Sequence, residues 1–291
     1  MIVHLNGQLL PRSEARIDPF DRGFLFGDGI YEGLRAFDGR VVGMDLHIRR
    51  LRAGLAEARI PFEAANIAPL TEELLRGANL SDAFIYWQIT RGAPSPGEPV
   101  RARVLTGPVR PTVFGYAAPT PPLEACVLPA TKSGVTTPDT RWLRGRVKSI
   151  SLLGSVLAGY ESVAAGADDA ILVRDGLVCE STSANLFAVV PGAGGRTELV
   201  TPSLDSVPIL AGVTRDILIE EMPQIVQRPV RAGELVHASE VMLVGTLSMV
   251  TSITRLDGRS VGAGAPGPVA RAMLDALVAA IRRGRPPGPG T

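Results

Sequence analysis

The sequence contains only two cysteines, Cys126 and Cys179, among its 291 residues. They are far apart in apolar surroundings, so they offer neither a disulfide framework nor the close spacing of a metal site. No run of eighteen apolar residues occurs, and we expect no membrane-spanning helix. The first residues, MIVHLNGQLLP, lack the basic segment and long apolar run of a secretory signal. We therefore expect a cytoplasmic protein without a metal site.

The sequence also lacks an excess of charge of either sign. Thirty basic and twenty-nine acidic side chains leave a formal net charge of +1. Aromatic residues make up only 5% of the chain. Nucleic acids and anionic membranes are bound through strongly basic surfaces, and single-stranded nucleic acids also through stacking aromatics. Neither kind of partner is therefore expected.

The remaining composition is ordinary for a folded protein, with 45% hydrophobic and 20% charged residues. A chain of 291 residues is long enough for two domains. The proline-rich stretch PTPPLEA at 119–125 is typical of a linker. We predict an N-terminal α/β domain at 1–118, a linker at 119–133, a C-terminal α/β domain at 134–283 and a disordered tail at 284–291.

Turn signals and helical patterns are mixed along the whole chain. The pairs Asn6-Gly7, Asp38-Gly39 and Asp175-Gly176 each separate two apolar runs, which is typical of a β-hairpin. Helical spacing of apolar residues occurs in DLHIRRLRAGLAEARI and PVARAMLDALVAAIRR. Because strands and helices do not alternate strictly, the pattern favours a mixed α/β (α+β) fold over a barrel or a doubly wound sheet.

Residues 149–166, SISLLGSVLAGYESVAAG, contain an apolar stripe at helical spacing. Its members are Leu152, Leu153, Val156, Leu157, Tyr160, Val163 and Ala164. Gly166 is a suitable residue for the end of a helix. We expect a helix that buries this stripe in the core.

Lys148 lies directly before this apolar run, after the large apolar residues Trp142 and Leu143. Most lysines are simply exposed at the surface. Here the apolar neighbours predict partial burial, and burial together with nearby arginines favours the neutral amine. The neutral amine is the form that attacks a carbonyl to give a Schiff base. Lys148 is therefore a candidate nucleophile.

Four further segments each permit a structural and a functional interpretation. Glu180 follows an apolar strand, either in a polar turn or as a carboxylate that faces a cationic ring nitrogen. Gly212 and Thr214 begin an amphipathic helix, and the free N–H groups of a helix start suit a phosphate. Thr246 lies in a second Gly-Thr turn. Arg50 is either a solvated helix residue or a phosphate ligand with planar donors.

Taken together and in order, six motifs resemble those of class IV (fold-type IV) pyridoxal-phosphate (PLP) enzymes. The motifs are DRGFLFGDGIYE, HIRRL, IYWQITRG, DTRWLRGRVKSISLLGSVLA, ESTSANLF and ILAGVTRD. This group includes D-amino-acid transaminase, branched-chain aminotransferase and aminodeoxychorismate lyase. The resemblance extends over nearly the whole chain and is closest to D-amino-acid transaminase. It implies two α/β domains with PLP between them, a PLP-binding C-terminal domain and a homodimer.

The resemblance implies a role for each matching residue. Lys148 binds PLP as a Schiff base and moves the proton during the reaction. Glu180 pairs with the pyridinium nitrogen and keeps it protonated, so that the ring acts as an electron sink. The resemblance also implies that Leu210 contacts the ring face of PLP. The residues that it places at the phosphate are Arg50, Gly212, Val213, Thr214 and Thr246.

The residues expected to bind the substrate differ from those of D-amino-acid transaminases. The resemblance places Tyr31 near the lysine and the substrate. D-amino-acid transaminases carry an arginine and a histidine after the TRG strand to bind the substrate carboxylate, but this sequence has Gly97 and Pro99 there. Arg91 is the expected substitute, with Arg101 and Arg103 as alternatives.

The expected reaction is a ping-pong transfer of an amino group between an amino acid, in the first place a D-amino acid, and a 2-oxo acid. A branched-chain L-amino-acid or (R)-amine transaminase and an aminodeoxychorismate lyase of the same fold remain alternatives. A non-catalytic binding module is disfavoured, because both Lys148 and Glu180 are present.

Overall fold

The computed structural model describes residues 1–284, so the predicted tail lies outside the described residues except for Gly284. The described chain divides into two compact units. The first comprises Met1–Leu123 and Val147–Leu152, and the second comprises Glu124–Arg146 and the described residues from Leu153 onward. The predicted limits of 1–118 and 134–283 place residues 147–152 in the C-terminal domain, whereas the structure assigns this short segment to the first unit.

The first unit contains one antiparallel sheet and three helices. Its strands are β1 (Ile2–Leu5), β2 (Gln8–Pro11), β3 (Gly29–Phe37), β4 (Arg40–Val41), β5 (Ala83–Thr90) and β6 (Thr112–Pro119). Its helices are α1 (Arg22–Phe26), α2 (Met44–Ala58) and α3 (Ile67–Ala78). The strand order is β2-β1-β6-β5-β3-β4.

Strand β3 has two different faces, because successive side chains of a strand point to opposite sides. Ile30 and Leu34 belong to the buried core formed with α2 and α3. Glu32 lies on this same face and contacts α2 through its side chain. Tyr31 has the opposite parity and belongs to a row of aromatic rings on the other face of the sheet.

The second unit is built on a nine-stranded sheet. Its strands are β7 (Ala130–Pro138), β8 (Asp169–Arg174), β9 (Leu177–Ser181), β10 (Asn185–Pro191), β11 (Thr197–Pro202), β12 (Val226–Arg228), β13 (Glu240–Gly245), β14 (Met249–Leu256) and β15 (Arg259–Ser260). Its helices are α4 (Leu153–Ala164), α5 (Val213–Glu221), α6 (Ala232–Leu235) and α7 (Pro268–Arg283).

This second sheet closes on itself. The strand order is β12-β11-β10-β13-β14-β7-β8-β9, and β9 also pairs with β10. Six strands, from β10 round to β9, therefore form a ring, and the pair that closes it is Asn185 with Glu180. The predicted mixed α/β fold is confirmed, but the sequence pattern did not indicate this closure.

Helix α4 differs from the prediction for its apolar stripe. The helix buries only Ala158 and Ser162. The large apolar residues of the stripe are exposed by 40% to 70%, namely Leu152, Leu153, Val156, Leu157, Tyr160 and Val163. The expectation that the stripe lies in the core of the chain is therefore wrong, because spacing reveals an apolar face but not what covers it. Within residues 1–284, no helix has the length and apolar character needed to cross a membrane.

Candidate active site

Lys148 is anchored to β3 in the first unit. The Tyr31 N–H donates to the Lys148 carbonyl at 3.0 Å, and Ile30 forms a β-bridge with Ser149. The Lys148 ammonium lies 4.2 Å from the centroid of the Tyr31 ring, a distance at which a cation is attracted to the ring face. Within residues 1–284, no carboxylate forms a salt bridge with this amine. A half-buried amine is thus held on an aromatic face.

The sequence holds a simpler indication of the same residue. Lys132 and Lys148 are the only lysines of the chain. Lys132 donates to Asp169 at 2.9 Å, so its charge is neutralised by a carboxylate. Lys148 is therefore the one lysine whose amine is not used in an ion pair within the described residues.

Arg50 is held by a buried glutamate on the opposite face of β3. Its Nε donates to Glu32 Oε1 at 2.8 Å and its Nη2 to Oε2 at 2.7 Å. Nδ1 of His47 lies 2.7 Å from Oε2 of the same carboxylate. Burial would raise the pKa of Glu32, but Arg50 and His47 lower it to about 2. Glu32 is therefore ionised, and its two oxygens fix the plane of the Arg50 guanidinium.

Arg91 has a different set of partners from the one predicted. Its Nε and Nη2 donate to Asp28 at 2.8 and 2.9 Å. Its remaining bonds go to the carbonyls of Ala58 and Arg59, both at 2.7 Å. Arg22 also binds Asp28, at 2.8 Å. These contacts tie the end of β5 to the end of α2 and favour a structural role for Arg91 over the predicted contact with substrate.

Tyr31 begins a row of aromatic rings across the sheet. The centroids of Tyr31 and Tyr86 are 5.6 Å apart, and those of Tyr86 and Tyr116 are 5.4 Å apart. The Tyr86 hydroxyl donates to Gln88 at 2.9 Å. The surface beside the Lys148 amine is therefore formed by tyrosine rings.

In the second unit, Glu180 lies at the point where the ring of strands closes. Its Oε1 accepts from Nη1 of Arg141 at 2.7 Å. Its Oε2 accepts from Nδ2 of Asn185 at 3.1 Å and from the N–H of Leu210 at 3.3 Å. Both oxygens of this buried carboxylate thus face donors, which is the arrangement expected for the ionised form.

Leu210 and Gly212 lie in the turn that leads into α5, and Val213 and Thr214 are the first two residues of that helix. The Leu210 carbonyl accepts from Asn185 Nδ2 at 2.9 Å, so one side chain links this turn to Glu180. Gly212 is the N-cap, and no side chain caps the helix. The N–H groups at the start of this nine-residue helix are therefore not used by a capping side chain.

Gly212 is required by close packing. A Cβ at this position would lie 1.9 Å from Oδ1 of Asn185. Thr214 is buried at the start of α5. Thr246 lies in the turn between β13 and β14, half-buried. The predicted phosphate residues of this unit are therefore all found at turns or helix starts.

Taken unit by unit, these groups are of the kinds that PLP requires. A phosphate requires N–H donors and a cation, and the uncapped start of α5 and the oriented Arg50 are of those kinds. An aldehyde requires an amine outside an ion pair, as Lys148 is. A pyridinium nitrogen requires an anionic acceptor, and Glu180 is a carboxylate that accepts from donors at both oxygens.

The chain matches the family model described as amino-transferase class IV over residues 29–256. This match covers more than half of the chain. The chain belongs to the class IV aminotransferases. The predicted class of PLP-dependent aminotransferase is therefore confirmed.

This class IV aminotransferase is similar to relatives with two different names. It is 34% identical to the D-alanine aminotransferase of Bacillus licheniformis over 283 residues, which are 95% of this chain and 96% of the relative. It is also 35% identical to a putative branched-chain-amino-acid aminotransferase of Methanocaldococcus jannaschii over 269 residues, 89% of each chain. Both relatives match almost end to end.

Solved structures have the same fold. The branched-chain aminotransferase of Escherichia coli superposes with a TM-score of 0.83 at 24% identity, covering 96% of this chain and 93% of that one. The enzyme of Thermobaculum terrenum in its PLP form gives a TM-score of 0.82 at 25% identity, covering 98% and 94%. The fold of this chain is thus shared with these solved structures.

Inspection of the sequence did not identify several residues of these networks. Glu32 binds both His47 and Arg50, while Arg141, which is held by Asp139, and Asn185 donate to Glu180. His47 and Arg50 are three residues apart on one helix, and this spacing indicates that both side chains lie on the same helix face. Glu32 has the parity of Ile30 and Leu34, which also indicated a buried acid. No local signal linked Arg141 to Glu180.

Proposed function

We propose that this class IV aminotransferase transfers the amino group of a D-amino acid to a 2-oxo acid, with Lys148 as the residue that carries PLP. The observation that carries this proposal is that Lys148 is the one lysine outside an ion pair, in a chain with only two lysines. When bound, PLP supplies an electron sink for breaking bonds to the substrate carbon. Lys148 supplies the amine and moves the proton.

The same proposal assigns roles to the remaining predicted site residues. Arg50, oriented by Glu32, would hold the phosphate of the cofactor. The N–H groups of Gly212, Val213 and Thr214 contribute donors to the same phosphate, together with Thr246. Leu210 would contact the ring of the cofactor, and Glu180 would pair with its ring nitrogen. Tyr31 lies beside the amine and limits access of water.

The substrate carboxylate is bound by a residue other than Arg91 in this proposal, because Arg91 is used by Asp28 and two backbone carbonyls. Arg101 and Arg103, both exposed in the segment after β5, are the candidates. Arg101 already stacks over the Phe26 ring at 5.4 Å. Loss of D-amino-acid affinity in Arg101→Met or Arg103→Met, with unchanged PLP binding, identifies the residue.

A branched-chain L-amino-acid transaminase is the second candidate. The relative from Methanocaldococcus jannaschii favours it, since its identity of 35% is as high as the 34% of the D-alanine aminotransferase of Bacillus licheniformis. Purified enzyme offered D-alanine, L-leucine or L-valine with 2-oxoglutarate distinguishes the two. Turnover of D-alanine alone supports the proposal, and turnover of the L-amino acids alone overturns its stereochemical part.

Reductive trapping tests the role of Lys148 independently of substrate choice. Borohydride reduces a Schiff base to a stable amine, so a tryptic peptide containing residue 148 gains the mass of the reduced cofactor. The peptide containing Lys132 serves as the internal control. Modification at Lys132 alone, or a colourless protein after incubation with PLP, contradicts the proposal.

We also propose that the chain forms a homodimer through the exposed stripe of α4. Glu161 is the only charged residue among the twelve of this helix. A face with many exposed large apolar residues is a typical interaction site. An almost uncharged face suits a second copy, because a two-fold interface pairs the same patch with itself and like charges would repel.

Leu157→Glu combined with Val163→Glu tests this surface. Each substitution places a charge on the proposed interface, so we expect the mass in light scattering to fall from two chains to one. Val236→Glu is the matched control, because Val236 is 61% exposed and lies elsewhere, after α6. A wild type that is monomeric at micromolar concentration overturns the proposed dimer. We also propose a cytoplasmic location, which is compatible with a sequence that has only two cysteines, far apart along the chain.

A further inference from the structure

Glu180 belongs to a group of four charged side chains in the second unit. Asp139 and Glu180 carry the negative charges, and Arg141 and Arg174 carry the positive charges. The side chains of both acids are at least 92% buried. The charges of the group therefore balance in a place with little water.

Arg141 is the member that joins the two acids. Its Nε and Nη2 donate to the two oxygens of Asp139 at 2.9 and 3.1 Å. Its Nη1 donates to Glu180 Oε1 at 2.7 Å. Burial disfavours the charged guanidinium, but bonds and charges of Asp139 and Glu180 raise the pKa of Arg141. The bidentate pair with Asp139 fixes the plane of the guanidinium and thus the direction of Nη1.

Arg174 is close by but has different contacts. Its Nη2 donates to Asp139 at 3.2 Å and to the Arg141 carbonyl at 2.7 Å. Asp139 thus has two cationic partners, of which one reaches on to Glu180. The two arginines therefore offer a matched pair for separating a loss of buried charge from a loss of contact with Glu180.

The donors around Glu180 leave little room for a proton on the acid itself. Oε1 faces a guanidinium N–H, and Oε2 faces the amide of Asn185 and the N–H of Leu210. An oxygen that carries a proton would direct it against one of these donors and lose that bond. A proton shared between Glu180 and a basic partner is therefore driven to the partner.

We infer that Arg141 is a positioning residue that keeps Glu180 ionised and oriented, so that the proton stays on the ring nitrogen of the cofactor. This inference rests on the proposed role of Glu180 towards that nitrogen. Arg141 acts through Glu180, and Asp139 acts through Arg141. The electron-withdrawing character of the bound ring then depends on a residue that is not itself a cofactor ligand in this assignment.

The experiment uses holoenzyme loaded with PLP labelled with ¹⁵N in the ring. The ¹⁵N chemical shift distinguishes a protonated from a neutral pyridine nitrogen, and a merely structural residue does not change it. In Arg141→Met we expect the ratio of neutral to protonated nitrogen to rise about 10- to 100-fold, the range of one hydrogen bond to a charged group. Arg141→Lys keeps the positive charge and should recover part of the protonated form.

Arg174→Met is the control, since it also removes a buried cation from Asp139. We expect a lower unfolding temperature but an unchanged ¹⁵N shift. If Arg141→Met does not fold, Arg141→Gln, which keeps a donor but loses the charge, gives the same readout. A protonated wild type with an unchanged shift in the Arg141 variant overturns this inference alone. A neutral ring nitrogen in the wild type overturns the proposed role of Glu180 as well.

Discussion

Each unit of the molecule contains a buried glutamate bound by an arginine, yet the two carboxylates are held in different ways. Glu32 is fully buried on the helix-covered face of an antiparallel sheet, where a pair of side chains from one helix, His47 and Arg50, binds it. Glu180 lies where a ring of strands closes, and its donors come from three separate segments.

The difference shows what each acid can contribute. Glu32 binds Arg50 through both carboxylate oxygens, so its effect is to orient that guanidinium. The pKa of about 2 keeps Glu32 charged at any ordinary pH. Glu180 joins Arg141, Asn185 and the turn before α5. A change in any of these segments therefore alters the hydrogen bonds of the Glu180 carboxylate. We expect Glu32 to affect binding of the cofactor phosphate and Glu180 to affect the chemistry of the ring.

The largest expected effect comes from removing the amine while both glutamate networks remain intact. Lys148→Ala should lose about 10⁴-fold or more in kcat, because Schiff-base formation and proton transfer both depend on this group. The visible absorption of the bound cofactor should disappear as well. Lys132→Ala, which removes an amine paired with Asp169, should retain both, as steady-state kinetics and absorption spectra will show.

The second prediction separates the two acids. Glu180→Gln should lower kcat about 100-fold at saturating PLP, the order expected when a charged hydrogen bond is lost. Glu32→Gln should instead weaken PLP binding about 10- to 100-fold, because Arg50 loses its ionised acceptor. Titration of apoenzyme with PLP and kcat at saturation measure the two effects. Equal losses of kcat in both variants would remove the distinction.

The third prediction concerns stability at low pH. The folded-state pKa of Glu32 is lowered from 4.5 to about 2. A lowered pKa adds stability that is present above pH 4.5 and is lost as the pH falls towards 2, and the shift corresponds to about 3 kcal/mol. Urea unfolding of apoenzyme at pH 7 and pH 3 should show a smaller difference in the Glu32→Gln variant than in the wild type. The same pH dependence in both would show that other groups dominate.

The smallest effect is expected from Gly212→Ala. The added methyl group would lie 1.9 Å from Asn185 Oδ1 and should displace the amide that binds Glu180. We expect a destabilisation of about 1–3 kcal/mol and a moderate loss of kcat. Gly233→Ala is the control, since a Cβ there meets nothing within 4 Å. Thermal unfolding and kcat of both variants measure the effect, and equal behaviour would contradict the role given to Gly212.

Much of the architecture could be predicted because it depends on local patterns. The hairpins at Asn6, Asp38 and Asp175 follow from turn residues that tolerate positive φ, and all three have φ of about 50°. The mixed fold followed from irregular alternation of strands and helices. The stripe of α4 could not be interpreted correctly, since an apolar face indicates that something covers it but not whether that is the same chain.

The candidate site also has some residues that local patterns predicted and some contacts that they could not predict. Ordered motifs indicated Lys148, Glu180, Arg50 and the start of α5, because each stands beside a recognisable turn or helix start. The ion pair between Arg91 and Asp28 was not predictable, since these residues are 63 positions apart in the sequence and only folding brings them into contact. Whether an arginine is available to a ligand is decided by such long-range partners.

The sequence by itself determined the family and the glycine-containing turns, and it predicted the lysine that we propose to carry PLP, since these depend on residue identity and on spacing within a few turns of chain. Only the tertiary structure decided which donors surround each buried carboxylate. Charges in a low-dielectric interior are stabilised by the groups that folding brings within about 3 Å. For Glu180 those groups include Arg141, Asn185 and Leu210, of which Arg141 and Leu210 are 39 and 30 residues away along the chain.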